Sequence, residues 1–278
     1  MRRFFAFPLV RMVAIIAIFI GIAFCASAAR LHGDRAATAW IALALLAAIV
    51  LIVERLTVHR GPAEIGFDPR HIVRDTLLGF VAGAVLFSLV IFELMGAGAY
   101  RIETVQWSNA VLYAALWILP SAAVEEVLFR GVLFRLLAEW SGTWIALAIS
   151  ALLFGASHLL NPGATWFAGT AIAIEAGVLL GAAFVATRSL WFPIALHFAW
   201  NFFEGPFYGT QLSGTATGHP VIRALIEGPA WLTGGAFGPE ASVPAILTCS
   251  AAAVALLIYA ARTGSIVPCP WFRKGVTT

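Results

Sequence analysis

Residues 107–138 read WSNAVLYAALWILPSAAVEEVLFRGVLFRLLA, apolar along nearly their whole length except for Glu125-Glu126 at the middle, Arg130 four residues after Glu126, and Arg135 near the end. A segment apolar on every side belongs in a protein interior or a bilayer, and its surroundings decide which. Charge-free runs at Met12–Ala29, Ala36–Val53, Thr76–Phe92, Thr104–Val124 and Ala241–Ala261 each approach the roughly 20 residues that cross a hydrocarbon core. The chain of 278 residues is 61% hydrophobic and 11% charged, with a mean hydropathy of +0.93. Soluble domains are about half apolar and a quarter charged, so a water-soluble single domain is excluded.

In lipid the backbone must satisfy its own hydrogen bonds, so these runs are helices. The expected fold is an all-α polytopic membrane bundle of about eight transmembrane helices, near 9–29, 36–53, 76–98, 107–138, 143–160, 165–187, 190–204 and 241–261. The fourth is too long for one straight span, and Pro120 should kink or divide it. Residues 1–106 then form the N-terminal transmembrane helices with a charged loop at 54–75, short enough for a loop with one helical turn. Residues 107–204 form a helical core. Residues 205–240 form an irregular loop whose many Gly and Pro forbid a long helix. Residues 241–278 hold the last span and a tail.

The first segment follows Arg2, Arg3 and Arg11 and ends in Ala26-Ser27-Ala28, the form of a cleavable signal peptide. Its length, and a second span six residues later, favour a retained helix. A lipoprotein reading of Cys25 fails on the bulky Phe24. Cys25, Cys249 and Cys269 lack metal-ligand spacing. The net charge of +3 is read as orientation rather than as a nucleic-acid signal. With eight spans, Arg2, Arg3, Arg11, Arg55, Arg60, Arg70, Arg74, Arg135, Arg188, Arg262, Arg273 and Lys274 fall on the side of the termini. Only Arg30, Arg35, Arg101 and Arg223 fall opposite. The positive-inside rule therefore puts both termini in the cytoplasm. Arginine far in excess of lysine, with abundant alanine, fits a GC-rich bacterial genome and hence a multi-pass protein of the inner membrane.

Ionisable groups within spans need a partner or a purpose. Glu126 and Arg130 share a helix face in the order that favours pairing. Glu125 is rotated from Glu126 by about 100° and points elsewhere, into a cavity, with Phe129 packed beside it. His158 follows Phe154 by four and precedes Asn161-Pro162-Gly163, so it stands at a helix end where carbonyls are unpaired; alone, it reads as a structural histidine bonded to one. His197 and Asn201 are again four apart on one face. Glu175 lies within the sixth span, and Glu93 near enough to the end of the third to reach the interface. Taken together, these groups offer a general base, a metal site or an oxyanion-stabilising pair.

Glu125-Glu126-x-x-x-Arg130, Phe154-x-x-x-His158 and His197-x-x-x-Asn201 occur in order over residues 125–201. This set resembles the three motifs of the CAAX-protease and bacteriocin-processing (CPBP) family of intramembrane proteases, E-E-x-x-x-R, F-x-x-x-H and H-x-x-x-N, with no departure at a motif position. The resemblance covers the core, not the first three spans or the last. It implies a multipass peptidase similar to type II prenyl endopeptidases, acting on a peptide or lipidated-protein substrate within the bilayer. In the family picture Glu125 and His158 activate water, His197 and Asn201 stabilise the oxyanion, and Glu126 with Arg130 support them, beside Phe154. Family members are commonly described as metalloproteases. Glu125, His158 and His197 would suit Zn²⁺, although no H-E-x-x-H is present, and a metal-free reaction uses the same residues. The competing readings are a proton-coupled transporter, to which Glu175 would matter, and a non-catalytic bacteriocin-immunity or interaction protein. The terminal Gly275-Val276-Thr277-Thr278 is not a C-a-a-X sequence, so the chain is not expected to be its own substrate.

Overall fold

The computed structural model describes residues 2–28 and 34–273. Arg30, Lys274 and the Gly275–Thr278 tail lie outside them, as do the side chains of Arg2, Arg3, Cys25 and the Ala26-Ser27-Ala28 step. All eight expected segments are helical: α1 Pro8–Ala28, α2 Arg35–Val58, α3 Ile72–Gly96, α4 Ala110–Ser141, α5 Thr143–Ser157, α6 Trp166–Thr187, α7 Trp191–Phe202 with a π continuation Phe203–Phe207, and α8 Val243–Arg262. Six helices among the described residues are long and apolar enough to cross a membrane; α1 and α7 present shorter apolar stretches. The protein is a multi-pass membrane helix bundle.

Three sequence expectations need correction. Pro120 does not divide α4, which runs on through it; the irregularity falls later, as a π segment over Val127–Phe134. Residues 54–75 contain two 3-10 turns, Pro62–Ile65 and Pro69–His71, rather than one. The 205–240 segment is partly regular. Its strand β2 (Ile222–Ile226) pairs antiparallel with β1 (Tyr100–Val105), with a bulge between Ile102 and Thr104. A short helix Ala230–Thr233 and a 3-10 turn Pro239–Ala241 follow, and Phe237 and Ala241 are buried. Isolated β-propensity was invisible beside so much Gly and Pro; the edge of β1 supplies the partner.

Hydrogen bonds between connections sort the bundle into two ends. At one, Leu190 N–H donates to Gly66 O (2.8 Å) and Thr143 N–H to Val267 O (2.9 Å), joining the 54–71 loop, the α4–α5 and α6–α7 turns and the segment after α8. The α4–α5 turn is tight enough to need Gly142 (φ +83°), where a Cβ would stand 2.8 Å from Cys269 N. At the other end, β1 meets β2, Gly214 N–H donates to Phe237 O (2.7 Å), and Asp34 receives the Tyr113 hydroxyl. We call the first the terminal end, since α1 starts there, and the second the loop end.

Close helix contact is set by small residues, the usual device where lipid provides no hydrophobic drive between helices. Gly79 and Gly83 on α3 lie against α7. A Cβ at Gly79 would come 2.3 Å from Phe192 O, and one at Gly83 2.3 Å from Leu196 O. Phe87, Val90 and Leu94 continue the same face into a core with Leu196, Trp200 and Cys249. Gly155 on α5 is pressed equally hard against Gly169 O of α6, at 2.2 Å. Gly83→Ala is expected to lower unfolding stability in detergent by about 1–3 kcal/mol, the range for overpacking. Gly96→Ala, whose Cβ meets nothing within 4 Å, should leave the melting temperature unchanged.

Candidate active site

On α4 the expected pairing is present. Arg130 Nη1 donates to Glu126 Oε1 at 2.8 Å, with both side chains buried. The sequence did not reveal that His197 Nδ1 lies 2.8 Å from the same oxygen. Glu126, paired with Arg130, is an acceptor, so Nδ1 of His197 carries the proton and Nε2 is left for other work. The second guanidinium nitrogen of Arg130 donates to the carbonyls of Ala176 (2.9 Å) and Gly177 (3.3 Å). These belong to a second π segment, Ala173–Val178. A third, Phe203–Phe207, carries Glu204. Each of the three π segments thus holds one buried ionisable residue (Arg130, Glu175 or Glu204), in keeping with the concentration of π turns at functional sites.

Phe154 is the apolar hub. It is 1% exposed, lies 4.5 Å beneath the guanidinium carbon of Arg130, and has ring centroids 4.7 Å from His158 and 6.1 Å from His197. Phe129 packs edge-on against it at 4.9 Å. His158 begins the 3-10 turn His158–Leu160 that closes α5, and its Nδ1 is 2.8 Å from Phe154 O. A carbonyl only accepts, so Nδ1 is the protonated nitrogen and Nε2 the free one. The carbonyl-bound reading is correct for one nitrogen and leaves the other available.

Glu125, His158, His197 and Asn201 line one cavity of about 740 Å³, together with Phe154. Glu126 and Arg130 stand behind its wall. This is the separation that the 100° rotation predicts: Glu125 is half-buried on the cavity side, with Oε2 making no protein hydrogen bond. Two glutamates were missed and a third underrated. Glu175, weighed only for a transporter, lines the cavity and is 2% exposed. Glu240 lines it too, from the 3-10 turn before α8, and its N–H is 3.3 Å from Oε1 of the fully buried Glu204. A signal existed for Glu204, the lone charge between Arg188 and Arg223. Glu240 was hidden by its place in the loop.

At the mouth, Asp34 caps α2 by accepting from the N–H groups of Ala36 (2.9 Å) and Ala37 (3.1 Å). The Tyr113 hydroxyl first, then Ala37 N–H, hold its carboxyl below the usual range. The next residue, Arg35, lines the cavity with its guanidinium carbon 5.9 Å from the Trp117 ring. Among the described residues no three His, Cys, Asp or Glu side chains are gathered closely enough to hold a metal ion. The Glu125, His158 and His197 set therefore does not fit a resident zinc as placed.

Residues 106–203 match the family model described as Rce1-like, type II CAAX prenyl endopeptidase. That segment, about a third of the chain, is similar to the CPBP family of CAAX proteases. No curated protein and no solved structure matches it. The CPBP core so defined contains every motif residue, whereas Arg35, Glu240 and the β1–β2 pair complete the cavity and its rim from outside it.

Arg130→Ala would leave Glu126 buried with only His197, and a broken buried pair typically costs about 3–5 kcal/mol. Thermal unfolding in detergent should show a loss of that order. Glu204→Gln removes one of two apposed carboxyls while keeping shape, and should leave the melting temperature equal or higher.

Proposed function

We propose that the chain is an intramembrane endopeptidase that hydrolyses a peptide bond of a membrane-associated polypeptide with water activated by Glu125 and His158. The observation that carries this reading is the convergence of Glu125, His158, His197 and Asn201 on one cavity from three helices that the sequence separates widely.

The chemistry follows from the free atoms. Glu125, together with the free Nε2 of His158, accepts a proton from water as the water oxygen attacks the scissile carbonyl carbon. His197, taken as the imidazolium with Nδ1–H held by the Glu126 carboxylate, presents Nε2–H as well, and Asn201, one turn further along α7, presents its amide. These donors stabilise the oxyanion as the carbon becomes tetrahedral. Collapse breaks the C–N bond, and the proton returns from the Glu125–His158 pair to the departing amine. Glu126 and Arg130 are positioning residues: they fix the ring of His197 and touch no reacting atom. We take the reaction to be metal-free, because the three donors are not gathered for coordination. The Arg distribution supports cytoplasmic termini, and the excess of Arg over Lys with abundant Ala supports a bacterial inner membrane.

Glu125→Gln keeps shape but cannot accept the proton, and should abolish cleavage by folded protein; near-normal turnover would refute the assignment. Asn201→Ala should reduce turnover by about 100- to 1,000-fold, the usual effect of losing one oxyanion donor. Chelation should leave turnover unchanged. Stoichiometric zinc, lost together with activity in both His158→Ala and His197→Ala, would overturn the metal-free chemistry.

A further inference from the structure

Glu240 lies outside all three motifs and outside the segment that matches the family model, yet its position is tightly fixed. Gly238, two residues before it, has φ +121°, and a Cβ there would stand 2.2 Å from Gln211 O. Ala241 N–H donates back to Gly238 O at 2.9 Å, and Phe237 O accepts from Gly214 N–H at 2.7 Å. Phe237 and Ala241, on either side of the glutamate, are buried in one apolar cluster with Phe154, the ring that touches both histidines. The carboxyl is thereby held in the cavity wall, 3% exposed, and its Oε1 has no hydrogen-bond partner. Behind it Oε1 of Glu204 takes the Glu240 N–H at 3.3 Å, which brings the two carboxyls together, and Oε2 of Glu204 is again buried without a partner.

A charge is an expensive way to offer an acceptor in such a place. A neutral amide would receive a substrate N–H at less cost in burial, and two apposed carboxyls resist ionising together. The buried cations nearby are already engaged, since Arg130 and His197 both bond to Glu126. Arg35 lines the cavity only at its exposed rim, and Glu175 adds one more buried carboxyl to the lining. Among the described residues no three such groups are gathered closely enough to hold a metal ion. The counter-charge that fits is therefore one that brings its own hydrogen-bond donors.

We infer that Glu240, backed by Glu204, forms an acidic subsite of the cavity that takes the basic side chain, lysine or arginine, of a substrate residue near the scissile bond. The inference rests on the peptidase reading, because a polypeptide substrate is what brings such a side chain to the wall beside His158 and His197. An ammonium or guanidinium group gives Glu240 Oε1 the donor it lacks and supplies the charge that the wall does not.

The test uses internally quenched farnesyl-cysteine peptides, made in pairs that carry lysine or its uncharged isostere norleucine at successive positions around the modified cysteine. Binding is measured in detergent to the Glu125→Gln protein, which is not expected to cut them and lacks the other unpartnered carboxylate oxygen of the cavity. At one position the lysine peptide should bind about 10- to 100-fold more tightly than its norleucine partner, the effect of one hydrogen bond to a charged group. Adding Glu240→Gln should erase that preference. Equal or absent binding at every position would overturn the inference, as would a lysine preference that survives Glu240→Gln. Because the amide removes one of two apposed charges, the melting temperature of Glu240→Gln should equal or exceed that of its parent. Collapse of the fold instead would show a carboxyl already satisfied within the protein, and the subsite would fall. Cleavage by the wild-type chain judges the peptidase reading separately. Lysine and norleucine peptides cut with equal KM would keep that reading and overturn the subsite. A lysine preference in binding with no peptide cut would refute the peptidase and leave Glu240 as a site for basic peptides.

Discussion

One buried carboxylate holds the site together. Glu126 is fully buried and takes hydrogen bonds from Arg130 and His197 on a single oxygen, while Arg130 reaches on to two carbonyls of α6. Three helices are thereby tied at one point. A guanidinium and an imidazole N–H on one oxygen offset part of the large penalty of burying this charge, since its other oxygen, Oε2, is buried with no partner. Arg130 also lies on the face of Phe154, where the ring's quadrupole favours a cation. That ring in turn touches His158 and His197. Orientation of both histidines therefore depends on a pair that faces away from the cavity.

The cavity exists because packing elsewhere is so close. Glycines on α3 and α5 let α7 and α6 approach to backbone contact, which draws the helices together on the outer sides of the core. Along the inner side, the π segments of α4, α6 and α7 interrupt regular helix geometry and give the charged side chains room. Apolar residues such as Leu180, Leu196 and Trp200 complete the wall, which keeps bulk water from the polar groups and strengthens each electrostatic contact within.

The helices were legible because a bilayer permits little else: charge-free runs of near-spanning length locate them with few errors. The Glu126–Arg130 pair and the separate direction of Glu125 were legible because both depend only on helix period. The Glu126–His197 bond was not, since it joins residues 71 apart and requires the arrangement of α4 against α7. The π segments were also hidden, because their cause is tertiary. Arg130 lies over Phe154 and bonds to α6 carbonyls, and no local propensity announces that. Pro120 misled for the opposite reason. Its lost donor suggested a kink or a division, and the helix is not divided there, since neighbouring helices in a membrane bundle tolerate such a proline.

The same reasoning bears on which end of the bundle lines the cavity. At the terminal end, Glu54 and Glu139 are surrounded by Arg11, Arg60 and Arg135, which link α1, α2, the following loop and α4 into one network. Phe67 packs edge-on against Trp191 at 5.1 Å, and the indole N–H of Trp191 donates to Asp68 O. These ionic and aromatic contacts tie this end together, and the residues in them contribute nothing to the lining of the cavity. The loop end has the reverse composition. Its segments are joined by backbone hydrogen bonds, with Gly and Pro in place of long side chains, and its ionic contacts lie out at the surface, as with Arg101 and Glu227. A bundle closed by charge at one end and by backbone at the other leaves its polar interior reachable from the second.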